Sequence, residues 1–271
     1  MRGEFRQGYQ KILDNPKDTW YNIPRKVMIN VADEQTPTKN PEGKKKKPIL
    51  TQETVMKALD WSYDKSLVGL PKAKSCYELA EEYLKHHEKI EDDNERVIKN
   101  AKEFIKWQIA KCTATGFVTG LGGIITIPVT LPADLVTVWY VQLRMIATLA
   151  VMGGFDPKED CVRSLAYVCL TGSSANKILK EAGIQIANKA AMAAIKRIPG
   201  KVLISINKKV GFRLVTKFGT KGVINLGKCV PVVGGIVSGG LDFAETKVIA
   251  SKAFKTFIIG TTEGDGNIQS A

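Results

Sequence analysis

Two histidines, His86 and His87, are the only imidazoles in a chain of 271 residues, and they stand side by side in LAEEYLKHHEK. Adjacent side chains on a helix point about 100° apart, so this pair does not clamp one metal. Glu82, Lys85, Glu88 and Lys89 around them mark a solvent-facing stretch with no special role expected. Ser173 and Ser174 are where a nucleophile hypothesis would rest. No GxSxG elbow surrounds them and no histidine follows, which leaves only carboxylates and lysines as general bases. They are expected to cap a helix instead. The five cysteines, Cys76, Cys112, Cys161, Cys169 and Cys229, are odd in number and never form a CxxC pair, which argues against a zinc site and a disulfide framework. They read as small buried hydrophobes in a reducing compartment. No catalytic constellation, metal site or cofactor motif emerges, and the expectation is a protein that is not an enzyme. A hydrolase using Ser173 or Ser174 stays as a lesser alternative.

Charge points elsewhere. The chain carries 40 Lys and Arg against 27 Asp and Glu, a net charge of +13. No Asp or Glu occurs from Ala182 to Leu241, while Lys189, Lys196, Arg197, Lys201, Lys208, Lys209, Arg213, Lys217, Lys221 and Lys228 all fall there. An acid-free basic stretch rich in Val, Ile, Leu and Phe fits an anionic surface, lipid headgroups or nucleic acid. With Phe212 and Phe218 as its aromatics and no helix-turn-helix, zinc-finger or RNP pattern, lipid is favoured over nucleic acid.

The elements that would position this charge are helical. An apolar content of 44% can bury a real core, and a charged fraction of 25% is ordinary, so neither a polytopic membrane protein nor a disordered chain fits the whole. Thr113 to Ala133 is uncharged, long enough to cross a bilayer core, yet interrupted by Gly116, Gly120, Gly122, Gly123, Pro128 and Pro132. It reads as two apolar helical segments meeting at a bend. Val230 to Leu241 repeats the idea, with Pro231 at its start, Gly234 and Gly240 within it, and Gly235 and Gly239 four apart on one helix side.

Around these stretches the expected organisation is a flexible, proline-rich arm at 1–50, helices at 51–94, a helical domain at 95–260 and a polar tail at 261–271. The lysine run at 44–47 reads as solvated linker. Thr51 is expected to cap a helix reaching about Lys65, and Ser75 with Glu78 to form a capping box opening a helix to about Ile90. A helix from about Glu95 has an apolar face of Val97, Ile98, Ala101, Phe104, Ile105, Ile109 and Cys112, with Lys99, Lys102, Glu103 and Lys106 opposite. Asp134 opens a helix that is apolar nearly all round and ends at Gly153 and Gly154. Arg144 lies about 15 Å further along that helix, too far to pair with Asp134, so it is expected to meet a carboxylate or carbonyl of another helix, or a lipid phosphate. Asp156 and Pro157 are expected to start the next helix, and Gly172 to Ser174 another that continues to Pro199 and Gly200. In Lys201 to Phe218, Val202, Ile206, Val210, Leu214 and Phe218 recur every four residues, Leu203 and Phe212 lie nearby, and basic residues fill the remaining arc. A closing amphipathic helix is expected from Asp242 to Ile259.

Several segments in this order, GLGGIITIPVTLPADL, then Gln142, Arg144 and Ile146, GGFD at Gly153 to Asp156, INKKVGFRLVTKFG and VPVVGGIVSGGLDFAET, resemble the EcsC family. The likeness spans about Glu95 to Ile258, and residues 1–94 are less alike. The resemblance implies a helical, membrane-associated protein, with no catalytic residues to carry over.

The combined expectation is an all-α bundle built around two glycine-hinged hairpins, 113–153 and 229–259. Lys196, Arg197, Lys201, Lys208, Lys209, Arg213 and Lys217 would meet anionic lipid or a membrane protein on the cytoplasmic side. A soluble module whose basic face binds an acidic protein, and insertion of one or both hairpins in the bilayer, remain alternatives.

Overall fold

Capping chemistry sets the first boundaries. Thr51 accepts from the Thr54 amide and Thr54 reciprocates, opening α1, Gln52–Val68. Gly69 ends it in a left-handed conformation at φ 85°, its N–H donating to the Lys65 carbonyl. Ser75 and Glu78 form the expected capping box, with Ser75 N donating to Glu78 Oε2 at 2.7 Å and Glu78 N to Ser75 Oγ at 3.2 Å, which opens α2, Cys76–Leu84. This helix stops at Leu84 instead of reaching Ile90, because the chain turns at 85–89 and His87 adopts φ 54°. Asp92 Oδ1 caps α3, Asp93–Thr113, by accepting from the Glu95 amide at 2.7 Å.

The computed structural model describes residues 50–71, 73–113, 131, 133–184, 197–218 and 235–259. The 1–49 arm, the 261–271 tail, and Gly120, Gly122, Gly123, Pro128, Pro132, Lys196, Pro231 and Gly234 lie outside the described residues, as does the Asp134 side chain. Among the described residues every extended element is helical, so the fold is all-α. The remaining helices are α4, Ala133–Met152; α5, Asp160–Leu170; α6, Ala175–Glu181; α7, Gly200–Phe218; and α8, Gly235–Phe254. A 3-10 turn, Gly172–Ser174, leads into α6, and a π-helical turn, Lys255–Ile259, extends α8. All described residues belong to one unit, Pro48–Ala271.

One helix organises this unit. α4 packs against α1 most extensively and also against α2, α3, α5 and α8. Those neighbours touch in sequence, α1 on α2, α2 on α3, α3 on α8, α8 on α5, and α7 closes the circuit by packing on both α5 and α1. Within Leu135–Met152, 94% of the residues are buried, so the helix long and apolar enough to span a membrane is the core of the bundle here. Three of its polar side chains bond to protein. Gln142 Nε2 donates to Thr246 Oγ1 at 3.2 Å, Thr148 Oγ1 to the Arg144 carbonyl at 2.8 Å, and Arg144 Nη1 to the Lys74 carbonyl at 3.1 Å. Of the expected partners for Arg144, the carbonyl of another segment is among those found, with the Tyr140 ring 5.4 Å away.

Two glycine expectations change. Gly235, Gly239 and Gly240 lie in the first turns of a continuous α8, so no hinge separates Val230–Leu241 from the closing helix at those positions. Gly153 does more than end α4: a Cβ there would stand 1.9 Å from the Phe257 carbonyl oxygen, so its bareness lets α4 meet the π turn. The helix after Gly154 also starts later than expected, since Asp156 caps a turn through the Lys158 amide at 2.9 Å and α5 begins at Asp160. Cys76, Cys161 and Cys169 are free and buried, as expected of small hydrophobes.

Candidate functional site

α7 forms where the sequence alternates cations with aliphatic residues at helical spacing. Ile206, Val210 and Leu214 are buried, with Val202 and Phe218 half-buried, as that spacing predicts. Its buried side includes Gly211, where a Cβ would stand 2.7 Å from Gln52 Cγ of α1. Gln52 Nε2 also donates to the Lys208 carbonyl at 3.0 Å, tying α1 to the middle of α7. The helix is therefore seated on α1 and α5, and one arc faces outward.

The structure sorts the basic residues of this region into two groups. Lys209 pairs with Glu181 of α6 at 2.9 Å, Lys217 pairs with Glu245 of α8, and Arg213 Nε donates to Ser174 Oγ at 2.7 Å. The Lys209 ammonium holds the Glu181 carboxyl below its ordinary range through a hydrogen bond and Coulomb attraction. These cations knit α7 to the bundle. Arg197, Lys201 and Lys208 are exposed and have no acidic partner among the described residues.

Two apolar residues share the outer arc with Lys201 and Lys208. Ile204 is 59% exposed and Phe212 is 65% exposed. Positions 201, 204, 208 and 212 are spaced by three and four, so they form one stripe along α7. The apolar count in the sequence had placed Phe212 beside the buried face; its fourfold spacing from Lys208 and Ile204 was the signal that it belongs with the cations.

The residues with catalytic side-chain types behave differently from expectation. His86 and His87 do not diverge, because they sit in a turn and not on a helix: His86 Nδ1 lies 3.2 Å and His87 Nε2 3.0 Å from the same Glu103 Oε2. Ser173 is exposed, and Ser174 stands at the N-cap position of α6 as expected, but its hydroxyl makes no cap hydrogen bond and accepts from Arg213 instead. No group of three or more metal-ligating side chains occurs among the described residues. A cavity of about 540 Å³ beside the α1–α2 connection is lined by Val68, Gly69, Leu70, Pro71, Ala73, Lys74 and Glu78, a described lining without a hydroxyl, a thiol or an imidazole.

The fold and this outer face define an all-α bundle with a buried apolar central helix and a half-exposed basic helix on its rim. The chain belongs to the EcsC protein family, whose pattern matches residues 38–258. The match starts well before Glu95, so α1 and α2, which pack on α4, lie within the family region. No curated protein and no solved structure matches the chain.

Proposed function

We propose that this EcsC-family protein is a non-enzymatic, cytoplasmic-side protein that docks peripherally on anionic membranes through the outer arc of α7. The observation that carries the reading is the stripe Lys201, Ile204, Lys208 and Phe212, in which large apolar side chains stand in solvent alongside cations that have no acidic partner among the described residues. A soluble helix normally turns such residues inward, whereas an interfacial helix presents them to the acyl boundary and keeps its lysines at the headgroups. The energetics suit reversible binding. Arg197, Lys201 and Lys208 contribute about 1 kcal/mol each near an anionic surface. Insertion of Ile204 and Phe212 adds about 1 to 2 kcal/mol apiece, so neither term suffices alone. The burial of α4 supports peripheral docking over insertion of that helix.

Flotation with phosphatidylcholine vesicles, with and without phosphatidylserine, tests the reading. The chain is expected to float with the anionic vesicles, and K201E/K208E/F212S to remain largely at the bottom while retaining its helical circular dichroism. Equal recovery of the wild type with both vesicle types would point instead to a basic face for an acidic protein partner.

A further inference from the structure

A second exposed basic face lies on α3. Lys99, Lys102 and Lys106 are exposed, and none has an acidic partner among the described residues. Trp107 borders them with 53% of its surface open to solvent, while Ala101, Phe104 and Gln108 on the opposite side are buried. The acid that could have neutralised this flank, Glu103, is directed at His86 and His87. Lysines beside an exposed indole form a pattern suited to the headgroup region, where the indole sits between apolar and wet layers and the lysine stems snorkel.

The position of this face relative to α7 gives it a consequence. In the circuit of helices around α4, α7 and α3 are separated by α1 and α2 on one side and by α5 and α8 on the other. They lie across the central helix from each other, so a flat bilayer lying along α7 does not reach α3. With packed helices about 8 to 10 Å apart, the two axes stand roughly 20 Å apart.

We propose that α3 is a second docking face for an anionic bilayer, so that one molecule bridges two membrane surfaces. This rests on the α7 reading for its first contact and adds an independent second one. Positive charge on both rims and an exposed large apolar residue on each argue for the same kind of partner at both faces.

The test mixes donor-labelled and acceptor-labelled vesicles of phosphatidylcholine and phosphatidylserine with the full chain, and follows light scattering and energy transfer between vesicles. Wild type is expected to cluster vesicles. K99E/K102E/K106E is expected to float with vesicles as wild type does while its clustering signal falls to that of vesicles alone. To exclude clustering by self-association through α3, the variant K201E/K208E/F212S is tested for residual flotation and for a blue shift of Trp107 emission, taken as the difference from the same variant carrying W107F. Residual flotation with a blue shift supports the lipid face. Wild type that floats without clustering overturns bridging and leaves the α7 reading standing. So does an unshifted Trp107, whereas wild type that never floats overturns both.

Discussion

α4 and α7 are about the same length, and composition alone would put α4 ahead of α7 for contact with lipid. α4 is apolar nearly throughout and is the one described helix that passes for a membrane span, yet its neighbours bury it almost completely. α7 is studded with lysine and leaves Ile204 and Phe212 in solvent. The difference is made by partners. A helix that is apolar all round in a bundle is satisfied by other helices, whereas one packed on a single side must leave its outer residues to water or to a surface not in the fold.

The comparison predicts opposite consequences for aromatic truncation. Trp139 of α4 is 1% exposed and meets the Phe218 ring edge-on at 5.8 Å. Trp139→Ala is expected to cost about 3 to 5 kcal/mol in urea unfolding, by lost transfer energy and the cavity left behind. Phe212→Ala is expected to change stability by less than about 0.5 kcal/mol and to reduce vesicle recovery instead. If Phe212→Ala unfolds the protein as readily as Trp139→Ala, the stripe is core and the distinction collapses.

Gly153→Ala probes the same core helix with a single methyl group. The added carbon would meet the Phe257 carbonyl oxygen, and both sides of the clash are backbone, so the π turn has to move. Overpacking of this kind is expected to cost about 1 to 3 kcal/mol, read as a lower midpoint in denaturant. An unchanged midpoint would show that α4 and the π turn are not held as closely as drawn.

Much of the architecture was legible because local rules decide it. The capping residues Thr51 and Ser75, the glycines after Met152 and the fourfold apolar spacing of Ile206, Val210 and Leu214 each act within a turn or two of the chain. What the sequence could not supply was pairing at long range. Nothing near Lys209 or Lys217 reveals that Glu181 and Glu245 will stand beside them, so a basic run that reads as one patch divides into tethered and open cations. His86 and His87 fail for a related reason, since a helix extended through them forces their side chains apart, and the turn that joins them on Glu103 depends on α3 packing back against α2.

A smaller effect sharpens how α4 is anchored. Arg144 reaches the carbonyl of Lys74, the residue immediately before the Ser75 cap of α2. The Ser75 backbone N–H and hydroxyl hold the Glu78 carboxyl below the ordinary glutamate value of 4.5. A depressed carboxyl pKa stabilises the fold above the unfolded value, and that contribution disappears as pH falls through the folded one. Wild type is therefore expected to lose stability relative to Glu78→Gln as pH drops below about 4.5, the gap measured as the difference in urea midpoints. A gap that stays constant from pH 7 to pH 3 would remove the cap from the pH response.

The smallest stability change separates geometry from bulk charge. Lys209→Ala/Lys217→Ala and Lys201→Ala/Lys208→Ala each remove two positive charges from α7. The first pair breaks half-exposed ion pairs, each worth at most about 1 kcal/mol, and leaves Glu181 with the more distant Lys177; the second disturbs no ion pair among the described residues. If the outer stripe makes the contact, Lys201→Ala/Lys208→Ala lowers recovery with phosphatidylserine vesicles severalfold, while Lys209→Ala/Lys217→Ala leaves it near wild type at physiological salt. Screening over about 8 Å keeps the inward pair from acting at a distance. Equal losses from both variants would mean that attraction follows net charge alone, and the arrangement of Ile204 and Phe212 alongside Lys201 and Lys208 would then have no part in docking.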